Sequence, residues 1–152
     1  MLDVAAIAPR LKLGADGIWY SAERGAVSYP SDGNQTCFLI EESSFWFNHR
    51  NACIAAAVKS FPPRGNGPIF DIGGGNGFVS VGLMRAGFET VLVEPGPVGA
   101  RNGKTRGIPT VICATTDDAG FASATLDAVG LFSMSLNTLK MPIGSSSRSA
   151  SC

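Results

Sequence analysis

At 152 residues the chain has room for one domain with a real core and not for two ordinary ones. Twelve basic and twelve acidic side chains cancel, which argues against nucleic acid, whose phosphates demand an excess of Lys and Arg. No apolar run reaches bilayer length, and "MLDVAAIAPRLKLG" is a poor signal peptide, so a soluble cytoplasmic protein with no membrane partner is expected.

Residues 1–36 are rich in Gly, Ser and Pro, with one strand-like island at Gly17–Ser21. "YPSDGN" (Tyr29 to Asn34) reads as turn chemistry. The stretch "SSFWFNHRNACIAAAVKSF" predicts a helix, with Ser43 or Ser44 as its cap and Pro62-Pro63 as its end. Consecutive Phe45, Trp46 and Phe47 cannot share one helix face, so they read as packing aromatics of which one can look toward a ligand. His49, the only histidine, reads as a structural or solvated residue beside Arg50. The four cysteines (Cys37, Cys53, Cys113, Cys152) lack metal-ligand spacing and read as reduced thiols; no metal site is expected.

After "PPRGNGP" the pattern alternates. Ile69–Ile72 is a short buried strand, Phe78–Ala86 a helix, Thr90–Glu94 a strand and Val98–Arg106 a helix. Thr110–Ala114 and Leu126–Phe132 are two further strands. Such alternation predicts an α/β fold, a Rossmann-like parallel sheet with helices on both faces.

The first of these strands runs into "FDIGGGNG", four glycines in five positions. Glycine clusters cost chain entropy and mark positive φ angles or a ligand pressed on bare backbone. A P-loop does not fit: "GKT" at Gly103–Thr105 has Val98 where the upstream glycine belongs. A dinucleotide loop would need a third glycine where Phe78 stands. The spacing present is Gly73-x-Gly75-x-Gly77.

That pattern, an apolar-acidic-apolar triplet followed by Gly-x-Gly-x-Gly, resembles the nucleotide loop of class I S-adenosylmethionine-dependent methyltransferases. Glu94, seventeen residues beyond Gly77, ends the second strand where that family holds its ribose-binding acid. "EESSFWFNHRN" (Glu41 to Asn51) resembles the segment before the core in a group of bacterial methyltransferases. The likeness covers roughly residues 17–132. It implies S-adenosylmethionine as cofactor, with Asp71, Gly73, Gly74, Gly75 and Gly77 around the methionine end and Glu94 on the ribose. Thr116 and Asp117, in the block "TTDDAGF" after the third strand, fall where the family holds adenine, with Asp118 as an alternative to Asp117. Glycines 73 and 75 would supply bare backbone, and Gly77 a close helix approach. Asp71 can equally be a strand-end residue that caps the next helix. The resemblance names no catalytic base and no acceptor, and leaves the oligomeric state open.

Beyond Phe132 the tail "SMSLNTLKMPIGSSSRSASC" shows neither helical nor alternating periodicity. Suitable codons for residues 133–146, read from their third base, encode the amphipathic string "DVVEHIEDADRFLE", which resembles what the family carries there. The expectation is a chain truncated or frame-changed after residue 132, incomplete in its C-terminal half, marginally stable and weakly active or inactive. Its division is a loop and helical extension over 1–63, a donor-binding core over 64–132, and a non-native or disordered tail over 133–152. An NAD(P)-binding oxidoreductase domain and a non-catalytic nucleotide-binding fragment are the alternatives.

Overall fold

The fold was analysed in a computed structural model, which describes residues 2–22 and 31–132. The predicted tail and its frame change lie outside the described residues. Twelve short elements follow in order: α1 (Val4–Ile7), β1 (Leu11–Leu13), β2 (Trp19–Ser21), α2 (Ser31–Ile40), α3 (Phe45–Ser60) and β3 (Ile69–Ile72). Then come α4 (Phe78–Arg85), β4 (Thr90–Val93), α5 (Pro97–Thr105), β5 (Thr110–Cys113), α6 (Thr116–Ala119) and β6 (Ala128–Gly130).

One six-stranded sheet runs in the order β1-β2-β5-β4-β3-β6, parallel throughout except for the antiparallel β1–β2 hairpin. The α/β, Rossmann-like fold anticipated from the alternating pattern is therefore present. Its strands are short apolar runs because both faces are covered. Phe70, Val91, Val93 and Ile112 point to one face, under Val4, Ala8, Leu11 and Ala119 from the N-terminal segment and α6. Leu92 and Val111 point to the other, under Ala100 of α5 and Ile108. The register pairs Phe70 with Val91 and Asp71 with Leu92, so the period of two sends Asp71 to the α4–α5 face.

The structure differs from the sequence reading in three places. Ser31–Asn34 is not a turn but the first turn of α2; Ser, Asp and Gly serve helix starts as readily as turns, so composition alone does not separate them. The last strand is shorter than Leu126–Phe132, only Ala128–Gly130 pairing with β3. The island Gly17–Ser21 supplies β2, which joins β5 in parallel through Trp19–Ile112 and Tyr20–Cys113, so the sheet reaches back beyond residue 64. Thr116 and Asp117, after the third of the predicted strands as expected, fall in a four-residue helix, α6.

Helix α3 starts after Ser44, whose side chain makes no capping bond; Asn48 Nδ2 instead reaches the Ser44 and Glu42 carbonyls at 2.9 and 2.8 Å. Of the aromatic triplet, Phe47 packs edge-on against Phe78 while Phe45 and Trp46 stay exposed. His49 stacks on Phe45 and lies 3.7 Å from Cys53 Sγ on the exposed side of the helix. Cys37 and Cys53 are free thiols, and the Cys113 thiol donates to the Pro95 carbonyl at 3.7 Å. No helix among the described residues is long and apolar enough to cross a membrane.

Candidate functional site

The parallel strands β3, β4 and β5 deliver their carboxyl ends to one rim of the sheet, where open α/β folds hold ligands. On that rim β3 passes into residues 73–77. The Gly73 N–H donates to the Val93 carbonyl at 2.7 Å, extending the β3–β4 ladder by one rung. The chain then takes positive φ at Gly73 (66°), Gly75 (58°) and Gly77 (73°) before α4 begins. Only glycine adopts that sequence of angles at low cost.

The glycines divide by what lies beside them. Among the described residues, a Cβ on Gly73 would meet nothing within 4 Å, and one on Gly75 only Asn34 Oδ1 at 3.9 Å. A Cβ on Gly74 would stand 2.5 Å from Leu92 Cδ1 and 2.6 Å from Asp71 Oδ2. On Gly77 it would run into Ile108 Cδ1 and the Gly103 backbone. Two glycines thus leave main chain open, and two let α4, α5 and β4 close up.

Asp71 is fully buried. The Ser80 hydroxyl donates to its Oδ2 at 2.7 Å, and Oδ1 has no hydrogen-bond partner among the described residues. Burial pushes its carboxyl up to about 6, the Ser80 hydrogen bond pulling the other way. A buried acceptor left unmatched costs on the order of 1–3 kcal/mol, and this one sits behind Gly74, whose Cβ position Asp71 Oδ2 borders at 2.6 Å.

Glu94 follows β4 and turns its carboxylate into the loop. Oε2 accepts the Gly75 N–H at 2.8 Å and Oε1 the Gly96 N–H at 2.7 Å. Burial raises its pKa and the two backbone N–H groups oppose the rise. A carboxylate has about four lone-pair sites, so each oxygen keeps one for a further donor. Gly96 and Gly99 make room for this side chain: a Cβ on Gly96 would lie 2.7 Å from Glu94 Oε1, and one on Gly99 2.9 Å from Glu94 Cγ.

Thr116 and Asp117 open α6 behind β5 and are exposed. Thr115 caps that helix by accepting the Asp118 N–H at 3.0 Å, and the Ser21 hydroxyl donates to the Asp118 carbonyl. Among the described residues no hydrogen bond ties Thr116 or Asp117 to the glycine loop or to Glu94. The structure therefore joins Asp71, the glycines and Glu94 into one cluster and leaves Thr116 and Asp117 beside it on the same rim.

Sequence reasoning missed a second group around Asn76. Its Nδ2 donates to the Asn34 carbonyl at 2.8 Å and approaches both Glu41 oxygens at 3.3 and 3.4 Å, while its Oδ1 accepts from Asn102 at 2.9 Å. Glu41 in turn lies 3.0 Å from Arg106 Nη2. The Arg106 guanidinium is held between the Phe38 ring at 4.7 Å and the Phe78 ring at 5.0 Å. Burial raises the Glu41 pKa more than the Arg106 charge lowers it, so this ion pair works against its own desolvation. The available signal was Asn76 standing inside the glycine run, and Glu41 opening the segment ahead of α3.

A concavity of about 440 Å³ is lined by Val58, Phe61, Ile69, Val129 and Phe132 beside β6. It borders the start of β3, whereas the loop follows its end, and Asp127 is its only charged wall. Among the described residues no group of His, Cys, Asp and Glu could hold a metal ion.

No protein-family model matches the chain, and no curated protein matches it. Among solved structures it is similar to a SAM-dependent methyltransferase from Bacteroides fragilis crystallised in complex with S-adenosyl-L-homocysteine. The two are 23% identical, the match covers 48% of this chain and 28% of that one, and the TM-score is 0.38. The chain thus spans less than a third of that protein's length.

Proposed function

We propose that this chain binds S-adenosylmethionine and belongs to a methyltransferase, transferring a methyl group to an acceptor that meets the same rim. The observation that carries the reading is the contact between loop and acid. Gly73 and Gly75 leave bare main chain open, and Glu94, hydrogen-bonded to Gly75, stands 2.8 Å from that backbone with acceptor capacity to spare.

The residues present fit such a donor. Asp71, buried behind Gly74, would act on the methionine end through the loop it packs against. The open backbone at Gly73 and Gly75 suits the tail itself, since no side chain stands in its way. The free lone pairs of Glu94 suit two sugar hydroxyls. Thr116 and Asp117 are the nearest candidates for adenine on the β5 side. The donor's own sulfonium supplies an activated methyl, so the protein's task is to position the reactants and exclude water. Residues 64–132 carry this cradle, and residues 1–63 supply the segments packed around it.

Phe78 speaks against the dinucleotide alternative. It is buried at the head of α4, where a pyrophosphate loop would need its third glycine. Titration calorimetry decides between them: S-adenosylmethionine or S-adenosylhomocysteine should give saturable heat and NAD none. Saturable binding of NAD with no response to either sulfur compound would refute the proposal.

A further inference from the structure

Helix α2 brings one polar side chain to the cradle. Among the described residues, the only atom within 4 Å of where a Cβ on Gly75 would stand is Asn34 Oδ1, at 3.9 Å. The Nδ2 of the same residue lies 3.2 Å from the corresponding point on Gly96 and 3.0 Å from that on Gly99. Glu94 Oε1 and Cγ border those same two points at 2.7 and 2.9 Å. Gly96 in the loop after β4 and Gly99 in α5 therefore make room for one carboxamide and one carboxylate side by side.

The two groups are chemically complementary. A carboxylate only accepts hydrogen bonds, whereas a carboxamide both donates and accepts. A sugar hydroxyl does both as well. Glu94 alone would satisfy the hydroxyl protons and leave the hydroxyl oxygens without a donor; the Asn34 amide supplies one.

Asn34 is also fixed from behind. Its main-chain carbonyl accepts Asn76 Nδ2 at 2.8 Å, and Asn76 is itself 2% exposed between Glu41 and Asn102. Glu41 follows α2 directly and ends on Arg106 of the α5 segment. Helix α2, which carries the carboxamide, is thus tied near both ends to groups of the glycine loop or of the α5 segment, a preorganisation that lowers the cost of binding.

We infer that Asn34 is a donor-contacting residue whose carboxamide hydrogen-bonds the sugar beside Glu94, with Asn76 as its positioning residue. This rests on the donor reading above and adds to it a contact from the N-terminal segment.

The test is calorimetric titration of the full chain with S-adenosylhomocysteine, paired with thermal melting of each unliganded variant. Asn34→Ala should weaken binding about tenfold, one lost hydrogen bond to a buried site, with little change in melting temperature. Asn76→Ala should weaken it by a similar factor, and Asn34→Ala should then add less than twofold in that background. If Asn76→Ala does not fold, Glu41→Gln takes its place with the same expectation of non-additivity. Wild-type affinity in Asn34→Ala, while Glu94→Ala loses it, would overturn the inference and spare the donor reading. Full additivity of the two asparagine variants would refute the positioning role. No heat from the unsubstituted chain would sink the donor reading, and this inference with it.

Discussion

The two halves of the glycine loop use the same residue for opposite ends. Gly73 and Gly75 face space, so their lack of a side chain leaves room for something that is not protein. Gly74 and Gly77 face Leu92, Asp71, Ile108 and the Gly103 backbone, so theirs serves packing. A loop that was only a turn would need the positive φ angles and no open face. A loop that was only a ligand cradle would not need α4 and α5 to meet at Gly77. The difference teaches that binding and folding can be separated here by single methyl groups.

The largest effect should come from the packing half. Gly77→Ala places a methyl into Ile108 and the Gly103 backbone at a positive φ, so both overpacking and backbone strain apply. We expect a loss of about 3–5 kcal/mol, read as a collapse of the thermal transition. A near-normal melting curve would show that the helices can part, and would break the contrast. Next comes Glu94→Ala, which removes the sugar acceptor and orphans the Gly75 and Gly96 N–H groups. Donor affinity should fall about a hundredfold, the equivalent of about 2.7 kcal/mol, by calorimetry.

The open half should respond in the reverse sense. Gly73→Ala meets no neighbour, so its stability cost is the αL strain alone, about 1–2 kcal/mol. Its methyl stands in the proposed donor space, and affinity should drop at least about tenfold. Unchanged affinity in a folded Gly73→Ala protein would mean that the open face is not the binding face.

The smallest effect concerns Asp71. Its folded pKa of about 6 lies above the ordinary 3.8, so between those values the folded state holds a proton that the unfolded state has lost. Stability from this group therefore rises as pH falls from about 6 to about 4, and declines as pH climbs through the same window. Asp71→Asn removes that slope. At pH 7.5 it should stabilise by about 1 kcal/mol, because relief from a buried charge is partly offset by an amide N–H in the place of the unpartnered Oδ1. Donor binding should weaken in the same variant. A melting temperature that falls at pH 7.5, or a pH slope that survives the substitution, would show that the carboxylate is better satisfied than its geometry indicates.

Much of the sheet is legible along the chain because its signals are local. Ile69–Ile72, Thr90–Val93 and Thr110–Cys113 are apolar runs bounded by Gly and Pro, and α3 ends where Pro62-Pro63 forbids more helix. The island at Gly17–Ser21 marked β2, but β1 was hidden because three residues carry too little pattern, and nothing in Trp19–Ser21 announces a parallel partner roughly ninety residues away. Helix α2 was hidden by Ser31, Asp32 and Gly33, which begin helices and turns alike. At the site, the glycines and Glu94 stood out through spacing. Asn34, Asn76, Glu41 and Arg106 did not, since their contacts join residues 35 to 65 positions apart and leave no periodic trace.

The most direct measurement follows backbone amide resonances of the full chain during addition of S-adenosylhomocysteine. The account predicts that the Gly73, Gly75 and Glu94 amides shift saturably, with Gly74 and Gly77 moving less. Saturable shifts confined to other parts of the molecule, or no shifts at millimolar ligand, would contradict it.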